Sequence, residues 1–344
     1  MKPTPSTRLF VLFSCAVLFV AAALGCPLIG PTSIHLKDAL QNFGGSGLDA
    51  QVLFGLRLPR VAMALLTGAA LASSGVAFQA LLRNPLADPF TLGLAGGSSL
   101  GAVSILLFFP AWAAHSGVVP AAAFAGSLLS VGLVYVLAGI FQNPQPSENA
   151  SIHSMALLLS GVTVNYFFSA VLLVMYYLVD FTRSLSLLRW ILGGLDAVEP
   201  SQVLTAFWPA ALSFLTLLIL APSLNLLSAG DDLAQTKGVD TKRISLFVFL
   251  IGSLLTSSVT AFTGPIGFIG LMAPNLLRRL IGYDHRWLLP SSALLGGAFL
   301  AFADTFARTC FAPAELPVGA LTALLGGPLF LLILFRPKKW FSFK

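Results

Sequence analysis

Apolar residues fall in ten runs, at about 9 to 29, 58 to 82, 90 to 109, 118 to 140, 154 to 179, 203 to 222, 244 to 263, 266 to 281, 288 to 308 and 317 to 335, with short polar segments between them. Most are close to the roughly 20 residues that a helix rising about 1.5 Å per residue needs to cross a bilayer core. None shows the two-residue alternation of a membrane barrel, so the pattern predicts a bundle of helices, each satisfying its own backbone. The eighth run, GPIGFIGLMAPNLLRRLIG, is short and rich in glycine and proline, which predicts a kinked or partly re-entrant element. Between the fifth and sixth, LLRWILGGL (Leu187 to Leu195) is too short to span, and its Trp190 suits a helix lying at the interface. The third run carries Gly93, Gly97 and Gly101 at every fourth position, a smooth face for close helix contact.

Composition decides the solvent. The 344 residues are 57% hydrophobic and 9% charged, with a mean hydropathy of +0.90. So little polar surface cannot cover a water-soluble core of this size, and the chain reads as an all-α polytopic membrane protein forming one transmembrane domain, residues 1–344. Lys2 and Arg8 before FVLFSCAVLFVAAALGC give the outline of a signal peptide, and Cys26 after Gly25 that of a lipoprotein site. Ala23 and Leu24 fit such a site poorly and more spans follow, so the first run is expected to be an uncleaved helix. Cys15, Cys26 and Cys310 match no metal or redox spacing and read as packing residues.

The 19 Lys and Arg residues orient the bundle. With the N-terminus inside, thirteen fall on inner segments and six outside: Lys37, Arg57, Arg60, Arg183, Arg189 and Arg308. Excess positive charge stays cytoplasmic, so both termini are expected inside. The net +6 fits this rule and attraction to anionic membrane lipid; it forms no basic stripe for nucleic acid.

Against this background SAGDDLAQTKGVDTKR, Ser228 to Arg243, stands out, with six charged residues in sixteen. Asp231 and Asp232 suit a helix N-terminus and Gly238 a stop, so the segment predicts one or two short cytoplasmic helices. It is either a solvated loop or a knob that docks a soluble partner. Other chemistry is sparse. Gly97 to Gly101 fits G-x-S-x-G around Ser99, but inside a membrane helix and with no His or acid near it in sequence. His35, His115, His153 and His285 are scattered over loops, so no catalytic or metal site is expected. The absence of any Gly-Lys dipeptide excludes a phosphate-binding P-loop. Asp304 and Arg308, four apart near the outer end of the ninth run, are the main ionisable residues within the spans, at a spacing that predicts a mutual pair.

Four stretches, LRLPRVAMALLTGAALASSGVAFQALLRNPLADPFTLG, LSAGDDLAQTKGV, GPIGFIGLMAPNLLRRLIGYDHRWLLP and ELPVGALTALLGGPLFLLILFR, in this order, closely resemble the FecCD-type permeases over about residues 50 to 336. Those are membrane subunits of ABC importers for iron-siderophores, haem and cobalamin, in the bacterial inner (plasma) membrane. The resemblance implies a ten-helix, type II importer permease fold that pairs with a second permease subunit, as a homodimer, around a central path. It further implies two ABC ATPase subunits holding ATP and Mg, an extracytoplasmic substrate-binding protein and a metal-chelate substrate, with no cofactor bound by this chain. Gly230, Asp231, Asp232, Gln235, Lys237 and Gly238 then match the element that couples to the ATPase. Asn84 and Leu86 in N-P-L-A match a cytoplasmic gate, beside the plainer reading of that loop as a helix stop between Pro85 and Pro89. Arg57, Arg60 and Arg308 match arginines that dock the binding protein, beside the plainer reading as headgroup anchors. Many relatives have Pro-His where this chain has Pro274-Asn275; Asn keeps hydrogen bonding but takes no positive charge. Ser160, Thr163 and Asn165 are candidates for the translocation path or for helix packing. The alternative is a secondary transporter driven by an ion gradient, whose expected mid-membrane carboxylates the spans lack.

Overall fold

The structure, a computed structural model, describes residues 4–41, 47–140, 150–196, 198–310, 312 and 315–335. Lys2 and the C-terminal cations from Arg336 onward lie outside these. Each of the ten apolar runs falls on a helix. In chain order these are α1 (Pro5–Gly25), α2 (Leu58–Leu81), α3 (Leu94–Phe108), α4 (Val118–Ile140) and α5 (Ala150–Tyr177), then, after the short α6 (Phe181–Leu192), α7 (Pro200–Ile219). Two short helices, α8 (Ala221–Ala229) and α9 (Asp231–Thr236), lead to α10 (Thr241–Thr263), α11 (Ile269–Ile281), α12 (His285–Cys310) and α13 (Val318–Phe335). Among the described residues, seven helical segments are long and apolar enough to cross a bilayer; α3, α11 and α13 are shorter.

The hub is α2. Of its most apolar window 83% is buried, against 17% for α1 at the periphery. The reason lies in its small residues. A Cβ on Gly68 would lie 2.2 Å from the Gly296 carbonyl oxygen of α12, and one on Gly75 2.1 Å from that of Gly270 in α11. These helices touch backbone to backbone, the contact that small residues permit where lipid supplies no hydrophobic drive between helices. Gly97 and Gly101 of α3 do the same against Gly126 and Ala122 of α4, at 2.5 and 2.1 Å, so the G-x-S-x-G pattern is a packing face with Ser99 buried in it. Upstream, α2 is preceded by a wide π turn, Gln51–Arg57, longer than the sequence pattern predicts. Pro59 supplies no N–H to that turn and its ring crowds the carbonyl one turn back, which favours local widening.

The eighth span is partly non-helical, as its composition predicts. Helix α11 has 13 residues, about 20 Å, too short for a bilayer core of roughly 30 Å. Thr263, Gly264 and Ile266 before it are buried in protein, the condition under which irregular backbone is tolerated at membrane depth. The interfacial helix α6 begins earlier than expected and ends at Gly193, whose φ of +71° and close approach to the Pro265 carbonyl both require glycine.

Contacts sort the connections into two ends. Arg8, the residue 83–88 loop, α8, α9 and Asp284 meet one another at one end, while the Cys26–Thr32 segment, Arg57, Asp196, Arg308 and Glu315 gather at the other. This is the sorting that ten alternating spans produce.

Candidate functional site

At the first end, Gly230 separates α8 from α9 with φ +125°, and Gly238 closes α9 with φ +78°. Both values lie in the region that favours glycine. Asp231 and Asp232 occupy the first turn of α9, where the free amides favour negative charge. Asp232, Gln235 and Lys237 are exposed, as is Leu233 at 48%, so α9 is a knob with an apolar tip. Asp231 differs from its neighbours. Its carboxylate turns back into the bundle and pairs with Arg83, whose Nε also donates to the Leu227 carbonyl at 2.8 Å. Arg83 has no local sequence signature, because its partners lie far along the chain. Its φ of +48° is left-handed for a residue with a Cβ, a strain of about 1–3 kcal/mol that the surrounding contacts must offset.

Arg83 leads directly into the loop expected to form a gate. Asn84 Oδ1 accepts from the Leu86 amide at 2.9 Å and leaves Leu86 44% exposed. Asn275 completes the loop's anchorage, its Nδ2 donating to the Pro85 and Leu271 carbonyls, each at 2.9 Å, while its Oδ1 accepts from Arg278 Nη1 at 3.1 Å. The amide thus uses both its donor and its acceptor, bonding two backbone carbonyls and one guanidinium. Asp88, 7% exposed, follows, and its Oδ1 would be 2.6 Å from a Cβ on Gly270. Burial pushes its carboxyl up to about 7. Nearby, Asp284 accepts from Asn225 at 3.0 Å and pairs with Arg8 at 3.2 Å. Burial alone would raise that carboxyl, but the Asn225 bond, the Arg286 amide and the Arg8 charge hold it below its usual value.

At the opposite end lie Arg57, Arg60 and Arg308, matched in sequence to docking arginines or headgroup anchors. They are 4%, 9% and 3% exposed, so they are not headgroup anchors, and docking through them cannot use free guanidinium groups in this conformation. Arg57 donates to carbonyls of Pro27, Leu28 and Thr32 and holds down the segment after α1. Arg308 donates to the Cys26 carbonyl at 2.7 Å, and its Nε lies 3.8 Å from Asp304, so the pairing expected between these two is loose. Asp304 belongs instead to Arg60, which grips it with three contacts of 2.9 to 3.1 Å and also reaches Glu315 at 2.8 Å and Asp196 at 3.4 Å. Burial raises the Asp196 carboxyl, with Arg60 opposing it. A cavity of about 510 Å³ opens over this cluster, lined by Thr32, Arg57, Arg60, Asp196, Glu199 and Glu315 among others. The three candidates on α5 separate: Ser160 is buried, Asn165 accepts from the Gly96 amide at 3.2 Å and joins α5 to α3, and Thr163 is exposed with its hydroxyl bonded back to Leu159.

Comparison with known proteins places this geometry. The model of the FecCD transport family matches residues 15–336. The hemin transport system permease protein HmuU of Yersinia pestis is 38% identical over 94% of each chain. The cobalamin import system permease protein BtuC of Halobacterium salinarum is 39% identical over 83% of this chain and 74% of its own. Among solved structures, a metal-chelate type ABC transporter in an inward-facing conformation superimposes with a TM-score of 0.81 at 30% identity, covering 95% of this chain and 99% of that one.

Proposed function

The chain belongs to the FecCD transport family, and on that premise we propose that it is the permease subunit of an ABC importer that brings a metal chelate of the haem, siderophore or corrinoid kind into the cytoplasm. In this reading two permease subunits enclose the path in the bacterial inner membrane. Two ATPase subunits bind ATP and Mg below, and a binding protein delivers the substrate above. The energy enters from the ATPase.

The observation that carries the reading is the exposed helix α9, set between two glycines and joined through Asp231 to the stretch that contains Asn84 and Leu86. Its exposed face, Asp232, Leu233, Gln235 and Lys237, offers an ATPase both charge and a small apolar contact. The excess of cations on that end supports a cytoplasmic orientation. On the far side, a binding-protein carboxylate reaches Arg60 by displacing Glu315 or Asp196, whose side chains are 41% and 43% exposed, whereas Asp304 at 1% stays in place. Docking is therefore an exchange of ion pairs.

Deletion of Asp231 to Lys237 tests the assignment. The expected result is a folded permease that no longer retains the ATPase on purification, because this helix makes few contacts with the spans. Undiminished retention and ATP-driven uptake would rule it out.

A further inference from the structure

Arg83 stands at the junction of the two elements that an ATP-driven permease has to connect. On one side its guanidinium spans the break at Gly230: Nε holds the Leu227 carbonyl of α8 at 2.8 Å, and Nη2 pairs with the carboxylate of Asp231, the first residue of α9. On the other side its backbone continues without an intervening residue into Asn84, Pro85 and Leu86. Tied at that end to the α8–α9 corner, the loop is tied at its centre to α11 through Asn275 and the Pro85 carbonyl.

We propose that Arg83 is the positioning residue that carries displacement of the α8–α9 corner to the Asn84–Leu86 loop, a proposal that rests on the reading of α9 as the ATPase-coupling element. Three features argue for it. Gly230 and Gly238 bound α9 with turns at φ +125° and +78°, so α9 is no rigid continuation of α8 or α10, and the Arg83 ion pair to its first residue is a direct tie to the loop. The further anchors, Asn225 with Asp284 and the His285 amide, and Gln235 with Thr241 at 3.4 Å, lead to the starts of α12 and α10 and bypass the loop. Finally, the left-handed backbone at Arg83 turns the chain sharply between the end of α2 and the loop, so a pull on the guanidinium acts at the loop's first residue. The bonds also have the right character. A forked guanidinium bound to a carboxylate and a carbonyl fixes direction as well as distance, which an ammonium on a flexible stem does not.

The test uses the full chain assembled with its ATPase subunits in nanodiscs, with nitroxide labels on both permease copies at Leu86 or, separately, at Gln235. Inter-copy distances are measured before and after trapping with ATP and vanadate. In the otherwise unaltered protein both distances shift. In Arg83→Gly, which suits the local backbone, the Gln235 shift should persist while the Leu86 shift falls about threefold or more, the scale on which residues along a coupling route act. The double variant Arg83→Asp/Asp231→Arg should recover part of the Leu86 shift. An unchanged Leu86 shift in Arg83→Gly, or loss of both shifts together, would overturn the transmitting role; in the second case Arg83 merely supports α9. Failure of Gln235 to shift in the parent protein would instead count against α9 as the coupling element. Should Arg83→Gly not fold, Arg83→Gln serves, with the same outcomes.

Discussion

Replacing Arg60 by Met keeps most of the side-chain volume and removes the charge, and it isolates what the buried cluster at the outer end contributes. Arg60 and Asp304 have side chains 11% and 1% exposed and share three contacts near 3 Å, so losing the guanidinium leaves a carboxylate in the interior with Arg308 Nε, 3.8 Å away, as its remaining cation. Removing one partner of such a pair costs about 3–5 kcal/mol. The contacts to Glu315 and Asp196, with side chains 41% and 43% exposed, add about 0–1 kcal/mol each. The expected destabilisation is therefore about 3–5 kcal/mol, nearly all from Asp304. Equilibrium unfolding in mixed detergent micelles, followed by the fluorescence of the five tryptophans, gives the number. Adding Asp304→Asn to Arg60→Met should restore more than half of the loss, whereas Glu315→Gln alone should cost less than about 1 kcal/mol. A cost below about 1 kcal/mol for Arg60→Met, or strict additivity in the double variant, would refute the buried-pair account.

Two further outcomes follow from the packing and the titration. Gly75→Ala sets a methyl against the Gly270 carbonyl and should destabilise the fold by about 1–3 kcal/mol, whereas Gly25→Ala, with open space around it, should stay within about 0.5 kcal/mol of the parent in the same unfolding assay. Because Asp88 holds its proton up to about 7 in the folded chain and only to about 3.8 when unfolded, the native state binds the extra proton between those values. Stability from this group is therefore full at low pH and is lost as pH rises through about 7, with a slope of at most about 1.4 kcal/mol per unit, and Asp88→Asn should flatten that part of the profile. A parent profile already flat from about pH 5 to 8 would remove Asp88 from the account.

The spans were legible because their signal is local. Some twenty apolar residues in a row fix a helix whatever surrounds it, and the punctuation by Gly230, Asp231 and Gly238 marked α9 almost to the residue. The third-helix glycines were legible as a packing face for the same reason, since a four-residue repeat places them on one side. What the sequence hid is pairing across long separations. Asp304 and Arg308 sit four apart and invite each other, yet Arg60, 244 residues earlier, takes the carboxylate, because packing of α2 on α12 brings it closer. Arg57 and Arg60 look like free surface cations for want of an acid nearby in sequence, and only the folded chain puts carbonyls and carboxylates around them. Arg83 was silent because neither its bond to Leu227 nor its left-handed backbone leaves a mark in composition or period. Asn275 reads in sequence as a hydrogen-bonding side chain beside Pro274, but its bond to the Pro85 carbonyl, 190 residues away, exists only in three dimensions.

In the proposed function this chain moves its substrate only when an ATPase works upon it. Proteoliposomes containing the chain, with or without the ABC ATPase subunits on the side that α9 faces, should be given hemin, a ferric hydroxamate or cobalamin as alternative probes, together with the binding protein. Accumulation of one of these chelates is expected only when the ATPase, ATP and Mg are all present, and none under an imposed proton or sodium gradient alone. Accumulation driven by such a gradient in vesicles without the ATPase would contradict the proposed function.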